Sequence, residues 1–317
     1  MPEIDVLCIG DLDVDMFVSV PAIPGFDQKI AGDNHGQMPG GMSANCAVAV
    51  ARLGLRSRLV AAVGSDASGA FAIESLRAEG VDVAHVISRG DTNTFMCLVL
   101  IAPSGEKSLI KLETEAYLPY PHEITEDAFQ DVRHLHVTYG RPELSYKALT
   151  IARGKGIATS LDLEPPDIIR NPMLLASVLP LVDTLFLNAE AYELASQALG
   201  ERLGPQRLNA HGEVLVTLGA RGCRRLFAGE ICTREGFVID ALDTTGAGDC
   251  FAGAYLAAKL EGASPEKAME LANAAAALAT TRIGAQTAMP SWAQANALIE
   301  KHKTARLGTT IRSAMGE

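Results

Sequence analysis

A run of small residues followed by an aspartate is the feature of this sequence that most directly predicts chemistry. Gly246, Ala247 and Gly248 stand where a helix is predicted to begin, inside the segment DTTGAGDCFAGAY that starts at Asp243. Free N–H groups converge at a helix start and the helix dipole adds positive potential, so a turn without large side chains can bind an anion there. Asp249 follows in the first turn. It can simply stabilise the helix dipole, or act as a base beside a bound phosphoryl group. The bare turn favours the base.

A second group of polar residues follows the first predicted strand. Asp11, Asp13 and Asp15 alternate along DLDVD, which puts Asp13 and Asp15 on one side of an extended chain. Carboxylates arranged in this way can accept paired hydrogen bonds from the hydroxyls of a polyol. From the residues alone, a solvated loop or a cation site fits equally well. The pair Gly40-Gly41 before the next predicted helix is similarly ambiguous, because ordinary turns also use glycine.

The chain resembles the ribokinase-like (PfkB) carbohydrate kinases. DTTGAGD, from Asp243, matches in full the family's C-terminal signature D-T-x-G-A-G-D. PGGMSANCAVAVARLG, from Pro39, matches the N-terminal signature with its Gly-Gly pair, Asn45 and final Leu-Gly. Shorter matches are GSDASG (64–69), TLGARG (217–222) and AAAALATTRIGAQTAMP (274–290). They follow the family's order, so the resemblance spans nearly the whole chain.

This resemblance implies an ATP-dependent kinase that phosphorylates the hydroxymethyl group of a sugar or sugar-like molecule. Asp249 is expected to be the catalytic base, and the N–H groups of Gly246, Ala247 and Gly248 are expected to form the anion hole for the transferred phosphoryl group. The other positions implied are Asp13, Asp15, Gly40, Gly41, Asn45, Tyr139 and Arg141 for the acceptor; Asn188, Thr217, Gly219, Gly222 and Asn273 for ATP; and Asp243 with the carbonyl of Thr245 for a monovalent cation such as K⁺.

The sequence departs from the family at the N-x-x-E motif, which is linked to magnesium and phosphate handling. Its match is Asn188-Ala-Glu-Ala191, so Ala191 stands where glutamate is expected. Either Glu190 or Glu193 replaces that glutamate, or Mg²⁺ is held only through ATP and water.

Two further departures concern the acceptor. Asp13 stands where ribokinase has asparagine, and Tyr139 where it has a glutamate that contacts the sugar, so ribose is not expected. Acidic acceptor segments favour a neutral sugar, polyol or nucleoside, because sugar phosphates and sugar acids need a cation. Lys29, Lys111 and Arg141 are the residues that could provide one.

The elements that must position these residues alternate between short apolar strands and helices. Ile4–Ile9 (IDVLCI) is typical of a strand buried on both faces, and Ser43 is expected to cap the helix that follows Gly41. The alternation predicts a three-layer α/β/α domain with a mainly parallel sheet over residues 1–306, and a loose tail over 307–317. Segments 12–39 and 92–118 break the rhythm. The second has apolar runs joined by Pro-Ser-Gly, which indicates a hairpin. Both are expected to form a small inserted β-flap, or lid, although two surface hairpins would look the same.

The amino-acid composition excludes some classes of binding partner. With 27 Lys and Arg against 38 Asp and Glu, the formal net charge of the 317 residues is −11, which disfavours nucleic acid and anionic membranes. The sequence shows no secretory signal and no membrane span, and its six cysteines are scattered without a C-x-x-C pair, so a cytoplasmic protein is expected. Exposed lid edges predict a homodimer.

Two alternatives to a sugar kinase stay open at this level. A nucleoside kinase of the same fold needs a shelf for the base, for which Phe17, Phe95 or Tyr139 are candidates. A catalytically silent ATP- or sugar-binding regulator is favoured by Ala191 and disfavoured by the intact Gly246–Asp249 unit.

Overall fold

The fold was taken from a computed structural model, which describes residues 3–103, 107–210 and 212–315, with side chains up to residue 304. In chain order the strands are β1 Ile4–Ile9, β2 Asp13–Ser19, β3 Asp33–Gly40, β4 Ser57–Val60, β5 Ala62–Gly64, β6 Ile87–Arg89, β7 Met96–Ile101, β8 Lys107–Leu112, β9 Val132–Thr138, β10 Ala158–Leu163, β11 Thr184–Asn188, β12 Glu213–Thr217, β13 Cys223–Phe227 and β14 Glu230–Arg234. The helices are α1 Met42–Arg52, α2 Ala67–Ala78, α3 Pro142–Gly154, α4 Pro165–Arg170, α5 Leu175–Val178, α6 Ala189–Leu199, α7 Ala247–Leu260, α8 Pro265–Ala279 and α9 Trp292–Met315.

Eight strands form the central sheet, in the order β14-β13-β12-β11-β10-β9-β1-β4. The run from β12 to β4 is parallel, and β13 and β14 add an antiparallel edge. Successive side chains of β1 enter opposite cores: Val6 and Cys8 pack with α1, α7 and α8, whereas Leu7 and Ile9 pack with α3 and the helices beside it. Strands buried on both faces require apolar residues at every position, which explains the unbroken run IDVLCI. The predicted α/β/α architecture is confirmed.

A second sheet of four strands, β3-β2-β7-β8, is built from the two segments that interrupt the alternation. We call these four strands the lid. Phe17, Phe95, Cys97 and Val99 form its small buried core. Strands β7 and β8 pair antiparallel with Ile101 opposite Lys107, and residues 104–106 of the predicted Pro-Ser-Gly turn lie outside the described residues. Because β2 begins four residues after β1 ends, the lid is attached directly to the carboxyl edge of the central sheet.

One sequence prediction about the C-terminus is wrong. Helix α9 continues to Met315, so residues 307–315 are helical rather than a loose tail. The stretch contains no proline, so no residue of this kind interrupts the helix that begins at Trp292. Residues 316 and 317 of the predicted tail lie outside the described part of the chain. Among the described residues, no helix has the length and apolar character needed to cross a bilayer.

Candidate active site

Helix α7 begins at the predicted anion site. Its N-cap is Gly246, whose φ of 75° is left-handed, and a side chain at this position would lie 2.8 Å from the Ala285 backbone oxygen. Glycine is therefore required by both conformation and space. Two residues further on, a side chain added at Gly248 would have no neighbour within 4 Å among the described residues. The Ala247 N–H between them makes a long hydrogen bond of 3.3 Å to the Thr244 carbonyl. The open space at Gly248, in the first turn of this 14-residue helix, fits the phosphate groups of a nucleotide.

Asp249 lies in that first turn, buried and held by a chain of amides. Asn45 Nδ2 donates to Asp249 Oδ2 at 2.7 Å, and Gln286 Nε2 donates to Asn45 Oδ1 at 3.0 Å. Arg52 Nη1 in turn donates to the Gln286 carbonyl at 2.6 Å. Because Gln286 fills the acceptor oxygen of Asn45, the amide nitrogen of Asn45 must face the carboxylate. One oxygen of Asp249 is therefore fixed and Oδ1 is left for another partner.

The surroundings of Asp249 favour its protonated form. Burial raises the pKa of this carboxyl well above its usual range, and the negative charges of Asp162, Glu164 and Asp11 raise it further. The hydrogen bond from Asn45 opposes the shift. A carboxylate with a raised pKa is a stronger base than an ordinary aspartate, which suits the removal of a proton from a hydroxyl group.

Asp13 and Asp15 come together with Gly40 at the junction of the lid and the body. Oxygens of Asp13 and Asp15 and the sulfur of Cys97 lie within 4.8 Å of one another, all buried. A side chain at position 40 would lie 2.2 Å from Asp13 Oδ1, so glycine makes room for this carboxylate. Asp13 Oδ1 is buried and has no hydrogen-bond partner among the residues that the structure describes. Since an orphaned buried carboxylate oxygen is costly, it marks a place for a donor such as a substrate hydroxyl.

More carboxyl groups surround this pocket than the sequence predicts. Burial together with neighbouring carboxylates raises the pKa of Asp15 to about 7, of Asp162 to about 8 and of Asp167 to about 6. Lys111 Nζ lies 3.7 Å from Glu164 Oε2. The pocket is thus strongly acidic and disfavours an acceptor that brings negative charge.

The residues predicted to bind ATP lie along the carboxyl edge of the same sheet. Asn188 and Thr217 end adjacent parallel strands and are paired in register. Gly219 and Gly222 follow in the turn after β12, where Gly222 lies against the Arg234 carbonyl. Ligands of open parallel sheets bind outside this edge, so the placement suits a nucleotide.

Two of the residues predicted to bind ATP also form hydrogen bonds within the protein. Asn273 Nδ2 donates to the carbonyls of Arg234 and Glu235 at 3.3 and 3.1 Å, which ties helix α8 to the end of β14. Asn188 accepts from the N–H of Ala191 at 2.8 Å and so caps α6. Ala191 is fully buried, whereas Glu190 and Glu193 are exposed on this helix.

Asp243 and Thr245 are in contact, and a lysine from the lid joins them. Lys107 Nζ donates to Asp243 Oδ1 at 2.8 Å and to Thr245 Oγ1 at 2.7 Å. The N–H and hydroxyl of Thr245 donate to the same Asp243 oxygen at 3.0 and 2.7 Å, and Gly284 N–H donates to Oδ2 at 2.9 Å.

The side chains of two residues predicted to bind the acceptor already contact other protein groups. The ring of Tyr139 is fully buried in the core that contains α3, and its hydroxyl donates to the Asn171 carbonyl at 3.3 Å. Arg141 donates to the Pro119 carbonyl at 3.2 Å and its guanidinium lies over the Tyr120 ring. Both side chains are thus occupied by protein groups, in contrast to Asp13.

Sequence reasoning missed Gln286, Lys107 and Asp162. Gln286 lies within the stretch 274–290 that carries the resemblance, which is the one signal that could have singled it out. Nothing local distinguishes Lys107 from other lid lysines.

Comparison with known proteins decides the family. Residues 3–292 match the model described as pfkB family carbohydrate kinase. The chain belongs to this family. It is an ATP-dependent kinase, as the resemblance of its two signatures predicts.

Its relatives differ in substrate. The ribokinase of Haemophilus influenzae is 27% identical over 294 residues, which cover 89% of this chain and 94% of the relative. The ATP-dependent ribose-1-phosphate kinase of Halopiger xanaduensis is 29% identical over 304 residues, or 93% of this chain and 98% of the relative. Other matching relatives are named nucleoside kinase and fructokinase. Family membership therefore leaves the acceptor open.

Solved structures confirm the fold. A protein from E. coli described as a ribokinase II, in complex with ATP and Mg²⁺, superposes with a TM-score of 0.83 at 26% identity, over 94% of this chain and 100% of that one.

Proposed function

We propose that this kinase transfers the γ-phosphoryl group of ATP to the hydroxymethyl group of a neutral sugar or polyol. The observation that carries the proposal is Asp249, fixed by Asn45 in the first turn of helix α7, in a fold that also has an orphaned carboxylate oxygen in the Asp13–Asp15 pocket. A base, an anion cradle and hydroxyl acceptors are the groups that phosphoryl transfer to an alcohol requires.

Each residue has a separate task in this reaction. Asp13 and Asp15 accept hydrogen bonds from acceptor hydroxyls, with the orphaned Asp13 Oδ1 as one acceptor. Asp249 Oδ1 takes the proton of the attacking hydroxyl while Asn45 holds Oδ2. The new bond forms between that oxygen and the γ-phosphorus, and the bond from the γ-phosphorus to the leaving ADP oxygen breaks. N–H groups of Gly246, Ala247 and Gly248 stabilise the charge on the transferred group.

The nucleotide lies, in this proposal, along Asn188, Thr217, Gly219, Gly222 and Asn273. Mg²⁺ bound with ATP neutralises phosphate charge. We assign Glu190 to this ion, because it is exposed in the first turn of α6, two residues after Asn188. The six cysteines are free thiols, which is consistent with a cytoplasmic enzyme.

The choice of a neutral acceptor follows from charge. A phosphate or carboxylate on the sugar would lie near Asp15, Asp162 and Asp167, whose pKa values burial and neighbouring carboxylates already raise, so a further negative charge is disfavoured. Arg141 lies over Tyr120 and Lys111 pairs with Glu164, so each of these cations already has a partner.

A nucleoside is the second candidate acceptor. Phe17, Phe95 and Tyr139, the residues predicted as a base shelf, are fully buried. Tyr117 is half-buried with its ring 4.7 Å from that of Phe95, and such a ring serves a sugar as well as a base.

A coupled ADP-release assay tests the function. We expect turnover with a neutral sugar or polyol, and little with sugar phosphates, sugar acids or nucleosides. Asp249→Asn should lower kcat by about 10² to 10⁴ while ATP still binds. Asp131→Asn is the matched control, because Asp131 is exposed and its φ of 56° suits asparagine. Unchanged kcat in Asp249→Asn would contradict the base assignment, and ATP binding without turnover on any acceptor would favour a silent regulator.

We also propose that two copies pair through their lids. Leu109, Ile110 and Leu112 of edge strand β8 are 45%, 46% and 51% exposed. Pairing would cover these side chains and the unpaired edge.

A further inference from the structure

The loop before helix α7 contains a buried negative charge that a lid residue balances. The Asp243 side chain is 2% exposed, and the Lys107 side chain is 31% exposed. Lys107 Nζ donates to Asp243 Oδ1 at 2.8 Å, so a lid residue 136 positions away in sequence contacts this buried carboxyl group directly.

This contact occupies the place that the sequence assigns to a monovalent cation. Asp243 Oδ1 already accepts from the Lys107 ammonium and from the N–H and hydroxyl of Thr245. A potassium ion on the same oxygen would face the like charge of the ammonium group at close range. The residues present at Asp243 Oδ1 thus fit a lysine ammonium and do not fit a second cation beside it.

The position of the ammonium group relates it to the anion hole. Thr245, its second partner, immediately precedes Gly246, the N-cap of α7. A positive charge on this loop adds to the field of the free N–H groups where the transferred phosphoryl group would bind.

The lid also contacts the segment after helix α8, which binds the other oxygen of Asp243. Met38 of β3 lies against Gly284, where an added side chain would be 2.4 Å from the Met38 sulfur, and Ile283 packs on the lid core. Gly284 N–H donates to Asp243 Oδ2. Strand β8 therefore contacts Asp243 through Lys107, and β3 contacts the glycine that donates to Asp243, so the position of the lid and the placement of the Lys107 charge are coupled.

We propose that Lys107 is a built-in cation of the phosphoryl-transfer site, delivered by the lid in place of a monovalent metal ion. The proposal rests on the proposed function. It makes Lys107 a positioning residue: it orients Asp243 and the loop of Gly246 and adds positive charge beside the anion hole. It further means that this enzyme works without K⁺.

Steady-state kinetics in KCl and in choline chloride of equal ionic strength test this inference. The wild type should have the same kcat in both salts. Lys107→Gln should lower kcat by about tenfold to a hundredfold in choline, with a smaller change in KM, and should regain part of it in KCl because Asp243 is then free to bind an ion. Lys107→Arg, which keeps the charge, should retain most of kcat. Lys267→Gln, at an exposed position of α8 outside the lid, is the control and should equal the wild type.

Hydrogen exchange provides a readout that does not depend on turnover. Without the Lys107–Asp243 contact, amides of β8 and of the loop at Gly284 should exchange faster in Lys107→Gln than in Lys267→Gln. Wild-type activity that needs K⁺, wild-type kcat in Lys107→Gln, or unchanged exchange in that variant would each overturn the inference. Absence of turnover in the wild type on every acceptor would instead defeat the proposed function, and the exchange experiment would still decide whether Lys107 ties the lid to the loop.

Discussion

The stability of an Asp162 variant tests whether ionised carboxyl groups in the acidic pocket destabilise the fold. Asp162 lies near the end of β10, 9% exposed, and burial together with the charges of Glu164, Asp167 and Asp11 raises its pKa to about 8. The substitution Asp162→Asn removes the ionisable group with almost no change of shape. We expect this variant to be more stable than the wild type at neutral pH.

The size of the effect follows from proton linkage. An unfolded aspartate has a pKa of about 4, and one pKa unit corresponds to about 1.4 kcal/mol. A group whose folded pKa is raised stabilises the fold below the unfolded value, and that contribution is lost as the pH rises towards the folded value. Between pH 4 and pH 7 this amounts to roughly 4 kcal/mol for a fully buried group. After a discount for relaxation and water entry, a gain of about 1–3 kcal/mol is expected at pH 7.

Urea unfolding followed by circular dichroism measures the effect. The stability difference between Asp162→Asn and the wild type should be small near pH 4.5 and grow up to pH 7.5, where Asp131→Asn should leave stability unchanged. If Asp162→Asn is less stable than the wild type at pH 7.5, or if the difference does not depend on pH, then Asp162 is ionised and stabilised in the folded protein and the reasoning fails.

Two further predictions concern the base and the lid. The acid limb of the pH profile of kcat/KM should have its midpoint above 4, because burial raises the pKa of Asp249 and only its ionised form accepts a proton; a midpoint at or below about 4 would contradict this assignment. Light scattering on a sizing column should give a dimer for the wild type and a monomer for Leu112→Lys, which places a charge on the exposed lid edge; a monomeric wild type would rule out the pairing.

Local sequence patterns were sufficient to predict the parts of the site whose residues are adjacent in the chain. The turn of Gly246 and the helix that carries Asp249 follow from small residues placed before an apolar helical run, and the alternation of strands and helices gave the layers. The cap of α1 shows where local reasoning ends. Ser43 was expected at the N-cap, yet the helix begins at Met42 after Gly41, and the N–H of Ser43 donates to Asp11 Oδ1 at 3.1 Å. A cap from a distant side chain has no local signal.

The acceptor residues show a second limit. Neighbouring positions at a strand end point to opposite faces, so a shift of one residue decides between pocket and core. Tyr139 falls on the core side. The sequence likewise did not predict which residues Asn45 contacts, because its partners Asp249 and Gln286 are 204 and 241 residues away.

That separation has a consequence for synthesis on the ribosome. Asn45 emerges early, but the groups that orient it belong to the last quarter of the chain. A nascent chain that stops before Asp243 contains helix α1 and the strands of the central sheet, yet it has neither the base nor the amide that holds Asn45. Catalytic competence is therefore acquired only when the C-terminal helices dock, so incomplete translation products have no means of consuming ATP by this route.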